Sequence, residues 1–153
     1  MKKLRFYHID YSRSTNDVHW EYQNMTENDR IALVNLKFDA SFDYEDRLGN
    51  YNMYLLTTTM QYEKFKEILD NNIILYVSRD LSHQLLYNRF DLNHLKKNLE
   101  LEQRKLYELF IDRLDEWLLE NLEIDIVLDI INDKGIKKLR KIDKKFLENY
   151  GKI

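Results

Sequence analysis

Apolar and polar residues alternate strictly from Val34 to Tyr44, which is the clearest pattern along the chain. A period of two places every second side chain on the same face of a strand. Val34, Phe38 and Phe42 would then share a buried face, while the polar residues between them would face water. The pattern predicts a long strand in an antiparallel sheet that is covered on one side.

Three other segments of the first 58 residues have strand-like alternation and are separated by polar turns. The expected strands are residues 4–11, 18–22 and 51–57, the last of which follows a turn at Gly49-Asn50. Short polar breaks between successive strands favour a meander. Residues 1–58 are therefore expected to be strand-rich and to form a four-stranded sheet.

Helical spacing replaces alternation after Thr58. Thr58-Thr59-Met60-Gln61 matches a capping box, and apolar residues at helical spacing follow it, which predicts a helix over 59–71. A short apolar run predicts a fifth strand near 73–78. Later apolar stripes predict helices over 92–121, with Asp91 as N-cap, and over 136–149, after a C-cap at Gly135. The stripe of the longer helix includes Leu106, Phe110, Leu114 and Trp117.

These elements define an α+β fold class, in which an N-terminal four- to five-stranded antiparallel meander packs against C-terminal helices. With 153 residues, and without a linker or repeat, the chain is expected to be a single domain over 1–153. Residues 59–153 would be mainly helical, apart from the strand near 73–78.

Several kinds of chemistry find no support in the sequence. The chain has no cysteine, its three glycines lie too far apart for a phosphate-binding loop, and its four histidines have no metal-binding spacing. His8 and Asp10 would share a strand face, but one such pair does not define a metal site. We therefore assign no catalytic residue, no metal and no cofactor, and expect a protein that is not an enzyme.

No apolar run approaches the length of a membrane span, and the N-terminus does not resemble a signal peptide. We expect a soluble, cytoplasmic protein that does not bind membranes. A chain without cysteine suits a reducing compartment.

Charge is segregated in the last third of the chain. Residues 98–133 contain three basic and eleven acidic side chains, whereas residues 134–153 contain eight basic and two acidic ones. Carboxylates three or four residues apart share one side of a helix and can imitate a nucleic-acid backbone. The expected partner-binding carboxylates are Glu108, Asp112, Asp115 and Glu116.

Two tyrosines near the predicted hairpin, Tyr44 and Tyr51, are the expected aromatic anchors, since tyrosine is frequent at interface hot spots. The basic C-terminal helix has two interpretations. It either balances the charge of the acidic helix or binds nucleic acid. The lysines concerned are Lys137, Lys138, Lys141, Lys144 and Lys145.

The sequence thus favours a small intracellular, non-enzymatic protein that inhibits another macromolecule by occupying its surface. By composition it is like phage or mobile-element inhibitors of host defence such as anti-CRISPR proteins, or antitoxins and immunity proteins. The expected partner is another protein, for instance a nucleic-acid-binding enzyme with a positive surface, and a homodimer is left open. The alternatives are a nucleic-acid-binding protein that uses the basic helix, or a small hydrolase with Asp39 or Asp43 near His19.

Overall fold

The structure is a computed structural model that describes residues 3–11, 25–45, 51–72 and 74–152. The backbone contacts divide the chain into two compact units, Met1–Asp80 and Leu81–Ile153. The first contains the sheet and the second contains helices only among its described residues. A single domain over 1–153 stays a prediction.

Four antiparallel strands form the sheet of the first unit. They are β1 (Leu4–Asp10), β2 (Ala40–Glu45), β3 (Tyr51–Thr58) and β4 (Val77–Asp80). Their order is β2-β3-β1-β4, so β2 and β3 are hairpin neighbours as in a meander, whereas β1 lies between β3 and β4. The predicted α+β class, with an N-terminal antiparallel sheet followed by C-terminal helices, is confirmed. The strand predicted over 18–22 lies outside the described residues.

One face of the sheet packs against α2 (Thr59–Asn71), at the position predicted for the first helix. Thr58 caps it, because its hydroxyl accepts a hydrogen bond from the backbone N–H of Gln61 at 3.3 Å. The Gln61 side chain does not complete a capping box and instead accepts the backbone N–H of Lys37 at 3.0 Å. The buried side chains that form this core are Tyr7, Ile9, Leu55, Tyr62, Phe65, Leu69 and Ile74.

The long strand predicted from Val34 to Tyr44 is wrong in its first half. Residues Glu27–Asn35 form a helix, α1, and β2 begins only at Ala40. Thr26 starts α1 by accepting the backbone N–H of Asp29 at 3.2 Å, and acidic residues in the first turn suit the helix dipole. Val34, expected to be buried, is 69% exposed. Alternation describes the chain only from Ala40 onward.

Strand β4 overlaps the strand predicted near 73–78 but begins later, at Val77. It pairs with β1, so that His8 lies between Tyr54 on β3 and Arg79 on β4. Arg5 and Asp80 form an ion pair at 2.5 Å on the opposite face of these strands.

The second unit contains four α-helices and two 3₁₀ turns among its described residues. The α-helices are α3 (Ser82–Leu86), α4 (Leu101–Asn121), α5 (Ile124–Lys134) and α6 (Lys141–Tyr150), and the 3₁₀ turns are Asn93–Asn98 and Ile136–Lys138. The core of this unit includes Phe110, Leu114 and Trp117 from α4 with Val127 and Ile130 from α5.

The two long helices predicted for this unit are each divided. Over 92–121, a 3₁₀ turn precedes α4, and the extended backbone at Leu99 and Glu100 separates them. The N-cap of this 3₁₀ turn is Leu92, so the N-cap predicted at Asp91 is one residue too early, although the Asp91 side chain accepts the backbone N–H of Asn93 at 2.8 Å. Over 136–149, a second 3₁₀ turn precedes α6. Gly135 ends α5 with φ 87°, as predicted, since positive φ strains residues that have a Cβ.

Candidate functional site

The outer side of α4 presents a line of carboxylates. Glu108, Asp112, Glu116 and Glu120 are all exposed, and we call them the acidic face. They follow one another every four residues, which is about 6 Å along the helix axis, so they lie along one side of α4. The structure therefore brings together three of the four predicted partner-binding carboxylates.

Asp115, the fourth predicted carboxylate, is only partly exposed. Burial raises its pKa, and Asp112 raises it further, while Arg140 and Lys145 act in the opposite direction. Helix α6 contacts α4, which is why these basic groups are near it. Asp115 thus belongs to the packing between the two helices rather than to the acidic face.

Three leucines of α4 are also exposed, and we call them the leucine row: Leu101 at 70%, Leu106 at 61% and Leu109 at 67%. Leu109 precedes Asp112 by three residues and Glu116 by seven, so it lies beside the acidic face. The sequence stripe placed Leu106 in the core, but Tyr107 occupies that position, with 3% exposure. Sequence reasoning missed the leucine row because apolar residues on a helix are expected to be buried.

The predicted basic residues are all exposed. Lys137 and Lys138 lie on the second 3₁₀ turn, and Lys141, Lys144 and Lys145 lie on α6. We call these five lysines the basic face. None of them is ion-paired with a carboxylate among the described residues.

Arg140 has a different role from the lysines around it. Its Nε and Nη2 donate to the two carboxylate oxygens of the fully buried Asp143 at 2.9 and 2.8 Å. Its Nη1 and Nη2 also donate to the carbonyls of Leu85 and Leu86 at 2.5 and 2.9 Å. The Arg140 backbone N–H completes the network with a 3.0 Å bond to Asp143.

This network fixes the start of α6 against the end of α3, and sequence reasoning missed it. The one available signal was the spacing of the two residues. An acidic side chain three residues after the N-cap matches the reciprocal half of a capping box.

The two predicted aromatic anchors do not form one surface. Tyr44 on β2 is opposite Asn52 on β3, whereas Tyr51 is opposite Glu45. Neighbouring residues of a strand point to opposite faces, so Tyr44 and Tyr51 do so as well. Tyr51 stacks on Tyr11 with ring centroids 5.7 Å apart, and both tyrosines are half-buried.

The hydrolase candidates do not form a described site. His19 lies outside the described residues, Asp39 precedes β2 and Asp43 lies on it. The structure therefore places only two of these three residues, and a catalytic arrangement of all three stays a prediction.

A polar cluster surrounds His8, which is 6% exposed. Since Arg79 can only donate, its Nη2 donates to His8 Nδ1 at 3.2 Å. The neutral ring then carries its proton on Nε2, which donates to Asn52 Oδ1 at 2.7 Å. Burial lowers the His8 pKa, the Asn52 bond raises it, Arg79 lowers it and Asp10 raises it. Both ring nitrogens are occupied by protein contacts.

An open groove of about 430 Å³ separates α1 from α2, and amide side chains such as Asn28, Asn35 and Gln61 line it. None of the binding residues predicted from the sequence lies in this groove. Across the described residues, no group of three or more histidines and carboxylates could hold a metal ion.

No family model matches the chain, and no curated protein or solved structure matches it either. In the part of the chain that the structure describes, no helix has the length and apolarity needed to cross a membrane. Functional inference therefore rests on the surfaces themselves.

Proposed function

We propose that the protein is a non-enzymatic binding protein that inhibits another macromolecule by covering a positively charged surface on it. The observation that supports this best is the outer side of α4, where the acidic face and the leucine row are exposed together. Exposed apolar side chains rimmed by charge are typical of protein-binding surfaces. The carboxylates would recognise a basic partner, and the leucines would supply apolar contact.

The partner we propose is a protein that itself binds nucleic acid. The regular line of carboxylates on α4 resembles the negative charges of a phosphate backbone, and a channel that attracts phosphates attracts such a line as well. Nucleic acid itself does not suit this surface, because phosphates and carboxylates repel one another.

Inhibition by occupation needs no catalytic group. This mode of action suits a cytoplasmic antitoxin or immunity protein, or a phage or mobile-element inhibitor of host defence such as an anti-CRISPR. Composition and the acidic surface support this class by analogy.

The two components of the surface would act on different rate constants. Exposed charges mainly steer the encounter of two proteins, so the acidic face would set the association rate. Apolar side chains that become buried keep a complex together, so the leucine row would set the dissociation rate. Burying one exposed leucine is worth about 1.5–3 kcal/mol, so Leu109, which lies beside the acidic face, would contribute on that scale.

Capture from a native lysate, followed by purification of the captured protein, tests the proposal. The wild type is compared with a variant in which Glu108, Asp112 and Glu116 are changed to Lys. In a control variant, three exposed carboxylates on other helices are replaced instead (Glu63→Lys, Glu67→Lys and Asp133→Lys), so that both variants have the same net charge.

We expect the wild type and the control to retain one stoichiometric protein partner that the α4 variant does not retain. The purified partner should bind duplex DNA or RNA by itself. A variant with Lys141, Lys144 and Lys145 changed to Gln, which keeps the acidic face, should displace that nucleic acid. Equal retention by the α4 variant, or a partner that keeps its nucleic acid in the complex, would contradict the proposal.

A further inference from the structure

Among the described residues, no carboxylate is ion-paired with a lysine of the basic face, although the acidic helix α4 contacts α6. If the five lysines served to balance that helix, carboxylates of α4 would be paired with them. Asp115 on α4 interacts electrostatically with Arg140 and with Lys145 of α6, and both lower its pKa. Burial and Asp112 outweigh them and raise the pKa of Asp115, so the two basic groups do not stabilise a fully paired carboxylate there. Glu108, Asp112 and Glu116 are exposed on the outer side of α4. The charge of the basic face is therefore left for solvent or for a ligand.

The segment that carries the basic face is held in a fixed position. Arg140, between its two groups of lysines, is bound to the buried Asp143 and to the carbonyls of Leu85 and Leu86. On α6, Lys141, Lys144 and Lys145 are spaced three and four residues apart and so share one side of the helix. A ligand that contacts several lysines would not need to order this segment first.

We propose that the basic face is a second binding site, separate from the acidic face, and that its ligand is the phosphate backbone of nucleic acid. Lysine ammonium groups bind phosphates as point charges, and several of them along one segment release counterions from a polyanion. Phosphate contacts carry no sequence information, so this binding would not depend on the base sequence.

A membrane surface suits these observations less well. A helix that lies in a membrane interface inserts a free apolar side, but Ile142 of α6 is buried in this unit, and Phe146 and Leu147 are half-buried. Ile136, with 66% exposure, is a single apolar side chain next to the lysines. An isolated residue does not provide an inserting surface.

The test is the salt dependence of binding to a 25-base-pair duplex and to the matching single strand, measured by fluorescence anisotropy with the full chain. If all five lysines contact phosphates, duplex affinity should fall about 500-fold between 50 and 200 mM salt. The variant Lys141→Gln, Lys144→Gln, Lys145→Gln keeps two lysines, and the same change in salt should then weaken its binding only about 10-fold. The single strand should give a shallower slope for both proteins.

A charge-matched control separates the basic face from net charge. Lys64, Lys96 and Lys105 are exposed elsewhere, and changing these three to Gln should leave the salt slope unchanged. Glu148→Gln, which removes a carboxylate four residues after Lys144, should strengthen binding. Circular dichroism confirms that each variant is folded.

Three results would overturn the proposal. The wild type could fail to bind either nucleic acid at 50 mM salt, the control could lose as much affinity as the basic-face variant, or only vesicles containing phosphatidylserine could bind the wild type. The test is independent of the inhibitor proposal, because reversing Glu108, Asp112 and Glu116 should leave DNA binding intact or stronger while it abolishes capture of the partner.

Discussion

The Arg140–Asp143 pair should be among the most important polar interactions for the stability of the second unit. Asp143 has no exposed surface, and it accepts three hydrogen bonds from Arg140, between 2.8 and 3.0 Å. Removing one partner of a buried ion pair costs about 3–5 kcal/mol, because the other charge is left without compensation. We expect Asp143→Ala to lower the free energy of unfolding by that amount. For a protein of ordinary stability this is a large part of the total.

The structure offers a matched control for this prediction. Arg113 and Glu116 are also three residues apart, with 3.4 Å between nitrogen and oxygen, but the Glu116 side chain is 67% exposed. Exposed pairs contribute roughly 0–1 kcal/mol, so Glu116→Ala should change stability by no more than that. Asp143→Asn keeps an acceptor but not the charge, and it should cost about 1.5–3 kcal/mol.

Urea unfolding measures these differences. In a Trp20→Phe background, fluorescence comes from Trp117, which is 2% exposed in the core of the second unit. The expected order of stability is wild type, then Glu116→Ala, Asp143→Asn and Asp143→Ala. If Asp143→Ala costs under about 1 kcal/mol, like the exposed control, the buried network does not hold α6 and the reasoning is wrong. If Asp143→Ala does not fold, Asp143→Asn still decides between the two outcomes.

Two further predictions test the sheet and the orientation of α4. The His8 pKa is lowered from 6.5, mainly by burial, so the unfolded chain binds the proton first and stability should fall as the pH drops below 6.5 toward the lower folded-state pKa. Urea midpoints of the wild type and of His8→Gln are compared across this pH range, and the midpoint of His8→Gln should fall less than that of the wild type. Identical pH profiles of the two proteins would exclude a role for His8. Tyr107→Ala should cost about 3–5 kcal/mol, whereas Leu106→Ala should change stability by under about 0.5 kcal/mol. The reverse order would mean that α4 is rotated about its axis.

Elements whose local and tertiary signals agree could be predicted from the sequence. Thr58 offers a hydroxyl to the first turn of α2, and Phe65 and Leu69 recur on the side that the sheet covers, so both signals specify the same helix. The alternating residues of β3 likewise pair with β1 in the sheet.

Other elements could not be predicted, because their residues are compatible with more than one secondary structure. The alternation that begins at Val34 is typical of a strand, but Thr26 caps a helix that extends over Val34. Val34 is exposed in that helix, so its apolar side chain did not indicate a buried strand face. The polar residues Glu102 and Gln103 indicated a bend, but the buried Leu99 continues the apolar stripe, so the sequence did not place the break at Leu99 and Glu100.

The candidate site also has features that local spacing predicts and features that depend on contacts between distant parts of the sequence. Exposure of Glu108, Asp112 and Glu116 follows from helical spacing and was predictable. The inward position of Asp115 depends on α6, and the Arg140–Asp143 network depends on carbonyls of α3, which are distant in sequence. The exposure of the leucine row could not be deduced from the sequence, because apolar residues occur on both sides of α4 and only the structure shows which side is buried.

The association rate with the purified partner tests most directly whether α4 binds a positive surface. The rate is measured by stopped-flow or surface plasmon resonance at 50 and 300 mM salt for the wild type, the Glu108, Asp112 and Glu116 to Lys variant, and Leu106→Ala with Leu109→Ala. We predict that the wild-type association rate falls steeply with salt and that charge reversal lowers it at 50 mM salt, whereas the leucine changes mainly speed dissociation. An association rate that neither salt nor charge reversal alters would contradict the account and would mean that the acidic face is an ordinary solvated surface.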